Sequence, residues 1–373
     1  MKRTAAIVPT ARKEDSFMDV LHKVETGIDS FSYSYSLTSK QKRKMLESMK
    51  SLSKFQTRCA DYENESFDYT CDHFAAKGIK LRVFQRKGSI WTCFITVHPT
   101  LLMGDTNRSS LYHPNKNIFK LLMSSANSIL EQIQCPCKLE VMKLYRVDVT
   151  ANIIFGDANL VSEYLRILKK GLLIPHYRMD HFRKREGKTK DCDEANKHSY
   201  KQSCKAAAFF AYDKTAQLEM IDAFPCSLIG KKVLRLEVQL RRKAMKKWIS
   251  KDHLDDSFKV LKTLDSKASD IICWYLKRMQ LKSPRYVRYC DAVAEISHVN
   301  KTQTKERMLY LIRKTSDRHT LSNAIEDLKI KYKLSSGQVN RILKKFEKVE
   351  ISPITLTNNN TNEWLPALID LLK

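Results

Sequence analysis

Several things are scarce or missing in this sequence, and each excludes a class of function. No C-x-x-C pair occurs among the ten cysteines, and the lone Cys135-Pro-Cys137 has no second ligand pair at zinc spacing. The irregularly placed thiols are therefore expected to be free and partly buried. No run of about 18 apolar residues is available to span a bilayer. The opening stretch "MKRTAAIVPTARKEDSF" lacks the long apolar core of a secretion signal, so the expectation is a cytoplasmic protein with no membrane partner. Neither an internal repeat nor a low-complexity segment stands out beyond "TNNNTN" at 357–362.

Acid is also in short supply. Against 67 Lys and Arg stand 41 Asp and Glu, a formal charge of +26 over 373 residues. Such an excess, spread along the chain, points to a polyanionic partner, most simply nucleic acid. The length suggests two or three domains.

Residues 1–60 read as a lead-in, with a strand at 28–37 ("IDSFSYSYSL") and a basic helix at 39–55. From 61 to 250, strand and helix patterns alternate. A hairpin is expected at 79–86 and 90–99 around Lys87-Gly88-Ser89, a helix at 117–133 and a long strand at 138–155. A helix capped by Asp157 follows, and the last strands fall at 205–214 and 232–242. The charged tract 176–204, which carries His176 and His181, reads as a loop or extended hairpin. Residues 251–373 turn helical, with one long amphipathic pattern at 255–279. Near the end, 320–349 has the spacing of a helix-turn-helix, or equally of two antiparallel packed helices.

Two strands carry an arginine and an acid two residues apart, in "RVDVTANI" and "RLEVQLRR". Alternation puts Arg146, Asp148 and Thr150 on one face, and Arg235, Glu237, Gln239 and Arg241 on another. In "FFAYDK", Phe210, Tyr212 and Lys214 also share a face. The pattern predicts an α+β fold, an antiparallel sheet of about five strands with helices on one apolar face and the polar face open. If the three strands are neighbours, Asp148, Glu237, Tyr212 and Lys214 converge. Paired carboxylates are hard ligands for Mg²⁺ or Mn²⁺, and a tyrosine beside them can attack phosphorus. Cross-strand ion pairs would leave the same pattern in a non-enzymatic nucleic-acid-binding protein. The basic stretch Arg241, Arg242, Lys243, Lys246 and Lys247, with Trp248, suits phosphate contacts and a stacking ring.

"LYRVDVTANI", "AAFFAYDKTAQLE" and "VLRLEVQLRRKAMKKW" resemble three successive motifs of rolling-circle replication initiators. The likeness is to the filamentous-phage replication endonuclease (II/X) family and related single-tyrosine plasmid initiators, over about residues 90–250. It implies an HUH/RRM-like sheet, Tyr212 as nicking nucleophile with Lys214 beside it, and Asp148 and Glu237 as metal-site acids. The His-hydrophobic-His triplet of the larger HUH class is missing. Where related plasmid initiators carry a further acid, this chain has His98, a candidate third ligand. Arg146, Arg235 and the basic stretch would contact DNA, and Glu219 would form a structural ion pair. The implied partners are phage or plasmid origin DNA, a host helicase and a DNA polymerase. A homodimer is allowed, and a mobilisation relaxase or transposase would share the chemistry.

Overall fold

The strand "DSFSYSYSL" shows how the sheet acquires two unlike faces. Phe31, Tyr33 and Leu37 are buried, while Ser34 and Ser36, on the alternate positions, are more open. A period of two in side-chain size thus fixes which side receives the helices. The computed structural model describes residues 21–61, 66–180, 196–317 and 319–373. The start of the lead-in and most of the charged tract, including His181, lie outside the described residues.

Among the described residues, ten strands form one antiparallel sheet, where about five were expected from the sequence. They are β1 (Leu21–Leu37), β2 (Phe55–Asp61), β3 (Ser66–Cys71), β4 (Ile79–Gln85), β5 (Trp91–Val97), β6 (Lys143–Phe155), β7 (Arg178–Met179), β8 (Ser199–Ser203), β9 (Ala207–Asp213) and β10 (Lys232–Arg241). Their order is β2-β3-β4-β5-β1-β6-β10-β9-β8-β7. The expected hairpin is β4–β5, and β6 and β10 carry the two arginine–acid motifs.

This order contains a duplication that the sequence hides. Each half is a long strand, a helix and a four-strand meander whose last strand returns to pair with the first: β5 with β1, and β10 with β6. The halves join where β1 and β6 pair antiparallel, Ile28 opposite Val149. The likeness is one of topology.

The helices are α1 (Ser39–Lys50), α2 (Pro99–Leu102), α3 (Lys116–Gln132), α4 (Ala158–Lys170), α5 (Lys214–Met220), α6 (Arg242–Met245), α7 (Ser257–Ser266) and α8 (Ala268–Arg278). Then come α9 (Tyr289–Ser297), α10 (Thr302–Ser316), α11 (Leu321–Tyr332), α12 (Ser336–Lys348) and α13 (Leu368–Leu371), with a small sheet of β11 (Arg285–Val287) and β12 (Trp364–Pro366). The pattern at 255–279 is two helices, broken at Lys267, whose φ of −107° and ψ of 12° leave the helical range. Both pack beneath β1 and β6, so the sheet's core continues past residue 250. α11 and α12 are joined by only Lys333, Leu334 and Ser335, and Ser335 caps α12. No helix among the described residues is long and apolar enough to cross a membrane.

Asp157 caps α4 as expected, its carboxylate accepting from the Asn159 amide at 2.8 Å. Because that amide has no intrahelical partner, Asp157→Ala is expected to lower stability by about 1 kcal/mol in urea unfolding.

Candidate functional site

The polar residues of β6 and β10 face away from the helices, as alternation predicts. Register sets Gln239 opposite Asp148 and Glu237 opposite Thr150, so the two acids are diagonal neighbours. β9 then sets Tyr212 opposite Arg235 and Phe210 opposite Glu237. The Tyr212 hydroxyl donates to Glu237 Oε2 at 3.3 Å, and Gln239 donates to Glu237 Oε1 at 3.0 Å. Lys214 is the first residue of α5 rather than the end of a strand. Its buried ammonium donates to Gln217 at 2.8 Å and feels the charges of Arg235, Asp29 and Glu237.

This face was expected to be open, but here it is covered: Asp148, Thr150, Asn152, Arg235 and Glu237 are all buried. Over one end of it, Leu218 on α5 packs with Val233 and Leu228, against Ile154. The chain before α3 closes another side, where Tyr112 and Ile28 exchange backbone hydrogen bonds of 2.8 and 3.1 Å. That approach needs Gly27, because a Cβ there would meet Leu111 at 2.9 Å. Beside Tyr212 a cleft of about 280 Å³ is lined by Lys201, Phe210, Met220 and Glu237, among others.

A third acid, Asp29, belongs to the site and escaped the sequence reading. The β1–β6 register shifts between Ile28 and Ser30, a bulge that turns Asp29 toward Arg235. Arg235 Nη1 donates to Asp29 Oδ1 at 2.5 Å, Nε to Asn152 Oδ1 at 2.8 Å and Nη2 to the Ser109 carbonyl at 2.9 Å. Arg235 was expected at the DNA surface. It is instead fully buried, because these partners take up its guanidinium from inside the fold. Arg146 lies 3.0 Å from Asp148 Oδ1 and stays about a quarter exposed, and Ser30 donates to Asp148 Oδ2 at 2.5 Å.

Protonation follows from burial and crowding. Burial first, then the charges of Asp148 and Asp29, pushes Glu237 up to about 7. Burial also raises Asp148, against the pull of Arg146. Asp29 is only partly covered, and against the cost of that desolvation Arg235, His98 and Lys214 together hold it below the usual carboxylate range. Burial, then Arg235, brings Lys214 down to about 7, and burial brings His98 down to about 4. The Tyr212 phenol is raised well above its ordinary value by burial and by Glu237.

Among the described residues, no group of three or more His, Cys, Asp or Glu side chains stands ready to hold a metal. Asp148 Oδ1 is nonetheless met only by the Arg146 guanidinium, as an ion pair, and Glu237 is raised by the charges of Asp148 and Asp29 beside it. Two hard carboxylates in that state fit a divalent cation at Asp148 and Glu237. His98 is neutral at pH 7, and its Nδ1 lies 4.0 Å from Asp29 Oδ2.

The basic stretch lies beyond the end of β10. Arg241 donates to the Lys205 carbonyl, Arg242 pairs with Asp255 at 2.5 Å, and Lys243, Lys246 and Lys247 are exposed. Trp248 packs edge-on to Trp274 at 6.4 Å, and Lys247 sits 3.2 Å from the Trp274 ring centre. Glu219 pairs with Lys232 at 3.1 Å. In comparisons with known proteins, the chain matches no family model and no curated protein.

Proposed function

We propose that this protein nicks one strand of DNA by transesterification and stays joined to it, as a rolling-circle replication initiator does. The observation that carries the reading is the Tyr212 hydroxyl donating to Glu237 at 3.3 Å, beside Lys214 and Asp148 on the polar side of the sheet. The charge of +26 supplies the attraction for a polyanion.

In this mechanism Tyr212 Oη attacks the phosphorus of a phosphodiester and its proton passes to the Glu237 carboxylate. The bond from phosphorus to the 3′ oxygen breaks, and Lys214 gives that oxygen a proton. The products are a 5′-phosphotyrosine and a free 3′ hydroxyl from which a host polymerase could extend. Reversal by a later 3′ hydroxyl rejoins the strand. A Mg²⁺ or Mn²⁺ ion held by Asp148 and Glu237 would polarise the phosphodiester and offset the charge of the transition state. Arg146, partly exposed beside Asp148, is placed to meet an adjacent phosphate.

The test is incubation of the purified protein with supercoiled DNA carrying its own replicon, with Mn²⁺ or EDTA, on denaturing gels. A metal-dependent nick with a covalent protein–DNA band supports the reading. Binding without cutting under every metal favours the non-enzymatic alternative, for which one observation speaks: Asp29 and Asp148 each already lie against an arginine.

The pH dependence is fixed in sign. Above about 7 Lys214 has lost the proton it would give. The nicking rate is therefore expected to fall as the pH rises through about 7. In single-turnover rates across pH, Lys214→Gln should abolish that alkaline limb.

A further inference from the structure

The serines of β1 and three aromatic rings on the open face have no part in the chemistry above. Strand residues facing the helices are apolar, so aromatic rings on the opposite face need another explanation. On β4 the buried residues are Ile79, Leu81 and Val83, while Lys80, Arg82 and Phe84 alternate with them on the open side. Phe94 on β5 stands opposite Arg82, and also opposite Ser34 on β1. From β6, Tyr145 reaches over to Phe94, ring centres 5.0 Å apart at 58°. The small Ser34 between them leaves room for that contact.

The rings are ringed by cations. The Arg82 guanidinium lies 4.8 Å from the Phe84 ring and 5.9 Å from that of Phe94, and is held by both oxygens of Asp68 at 2.8 and 3.0 Å. Arg86 is 5.7 Å from the Phe84 ring on the far side. Toward Asp148 the same face of β1 is covered: Ser34 is partly open, while Ser32, which shares a 2.9 Å hydrogen bond with Thr96, and Ser30, on Asp148, are buried. Partly exposed rings beside fixed cations stack unpaired bases of any sequence while the cations follow the backbone. A duplex keeps its bases stacked inside and offers these rings no face.

We propose that Phe84, Phe94 and Tyr145, with Lys80, Arg82 and Arg146, form a track that binds single-stranded DNA on the sheet face that carries Tyr212. That the bound strand goes on to Tyr212 rests on the nicking reading, but the binding does not. In this arrangement β4, β5 and the start of β6 hold the strand, and β9 carries the nucleophile.

The test uses full-length Tyr212→Phe protein, which binds without cutting, and a fluorescent 15-residue oligothymidylate beside a hairpin duplex of equal length. Phe94→Leu and Tyr145→Ala should each weaken single-strand binding by about 5- to 150-fold, the range for one lost stacked base at 1–3 kcal/mol, with duplex binding unchanged. Tyr145→Phe, which keeps the ring, should bind as before. The exposed Lys80→Ala, which threatens no core packing, should lower the salt slope for the single strand by about 0.7. Equal losses on duplex and single strand would overturn the track, as would unchanged single-strand affinity in folded ring variants together with an unchanged slope in Lys80→Ala. If the track variants lose affinity but wild-type protein never nicks, the binding stands and the nuclease falls. If Tyr212 nicks while these variants bind normally, the reverse holds.

Discussion

Tyr212→Phe is expected to remove strand nicking and the covalent protein–DNA band while leaving DNA affinity within a factor of two or so. Removing the attacking atom of a covalent mechanism costs on the order of 10⁴-fold or more, because no neighbouring group replaces it. The substitution deletes one oxygen and keeps the ring that lines the cleft beside Glu237. The lost hydrogen bond to Glu237 is long, at 3.3 Å, so little stability goes with it. A protein that still forms the covalent band without this hydroxyl would place the nucleophile elsewhere. Tyr145, Tyr177 and Tyr200 would then be examined in turn, although Tyr200 is buried and Tyr177 is hydrogen-bonded to Tyr275 at 3.1 Å.

Arg235→Ala should be among the most damaging single changes in the chain, by a different route. Its guanidinium is fully buried and links β10 to Asp29, Asn152 and the Ser109 carbonyl. Truncation leaves the half-buried Asp29 carboxylate without its arginine and empties the fully buried volume of a large side chain. Breaking a buried pair from one side costs about 3–5 kcal/mol. Denaturant unfolding would read that loss as a lower midpoint at unchanged slope. Arg235→Lys should recover only part of it, since one ammonium cannot reach three acceptors held in a fork. A loss below about 1 kcal/mol would show that the pair is dispensable to the fold.

The half that carries the candidate site was legible for a definite reason. An acid in a strand of β-branched residues, with an arginine two before it, is costly unless something uses it, and alternation then says which way it points. Asp148, Glu237 and Tyr212 could be placed on one face from that alone. Asp29 could not, because its arginine is 206 positions away in sequence and its direction depends on a bulge. Arg235 was misplaced for the same cause: a basic residue on a polar face reads as exposed unless its buried partners are known. β2 and β3 were missed because "FQTRCAD" and "SFDYTC" are short edge segments with polar and charged residues among the apolar ones. β8 sits at the end of a tract whose charge suggests a loop. The break between α7 and α8 leaves the apolar spacing nearly in phase, so periodicity runs through it.

The seam between β1 and β6 also bears on how the chain is made. Every strand of the first half is complete once Val97 has emerged from the ribosome, yet the partner of β1 on its other side ends 58 residues later, at Phe155. At about 5–20 residues per second, that is roughly 3 to 12 seconds in which a strand of 17 residues waits with one edge unpaired. A long flat edge of that kind would recruit other nascent chains. Three breaks in its register, at Leu21/Lys23, Ile28/Ser30 and Ser32/Tyr33, keep it from being flat. The bulge that aims Asp29 thus also makes the waiting edge a poor template.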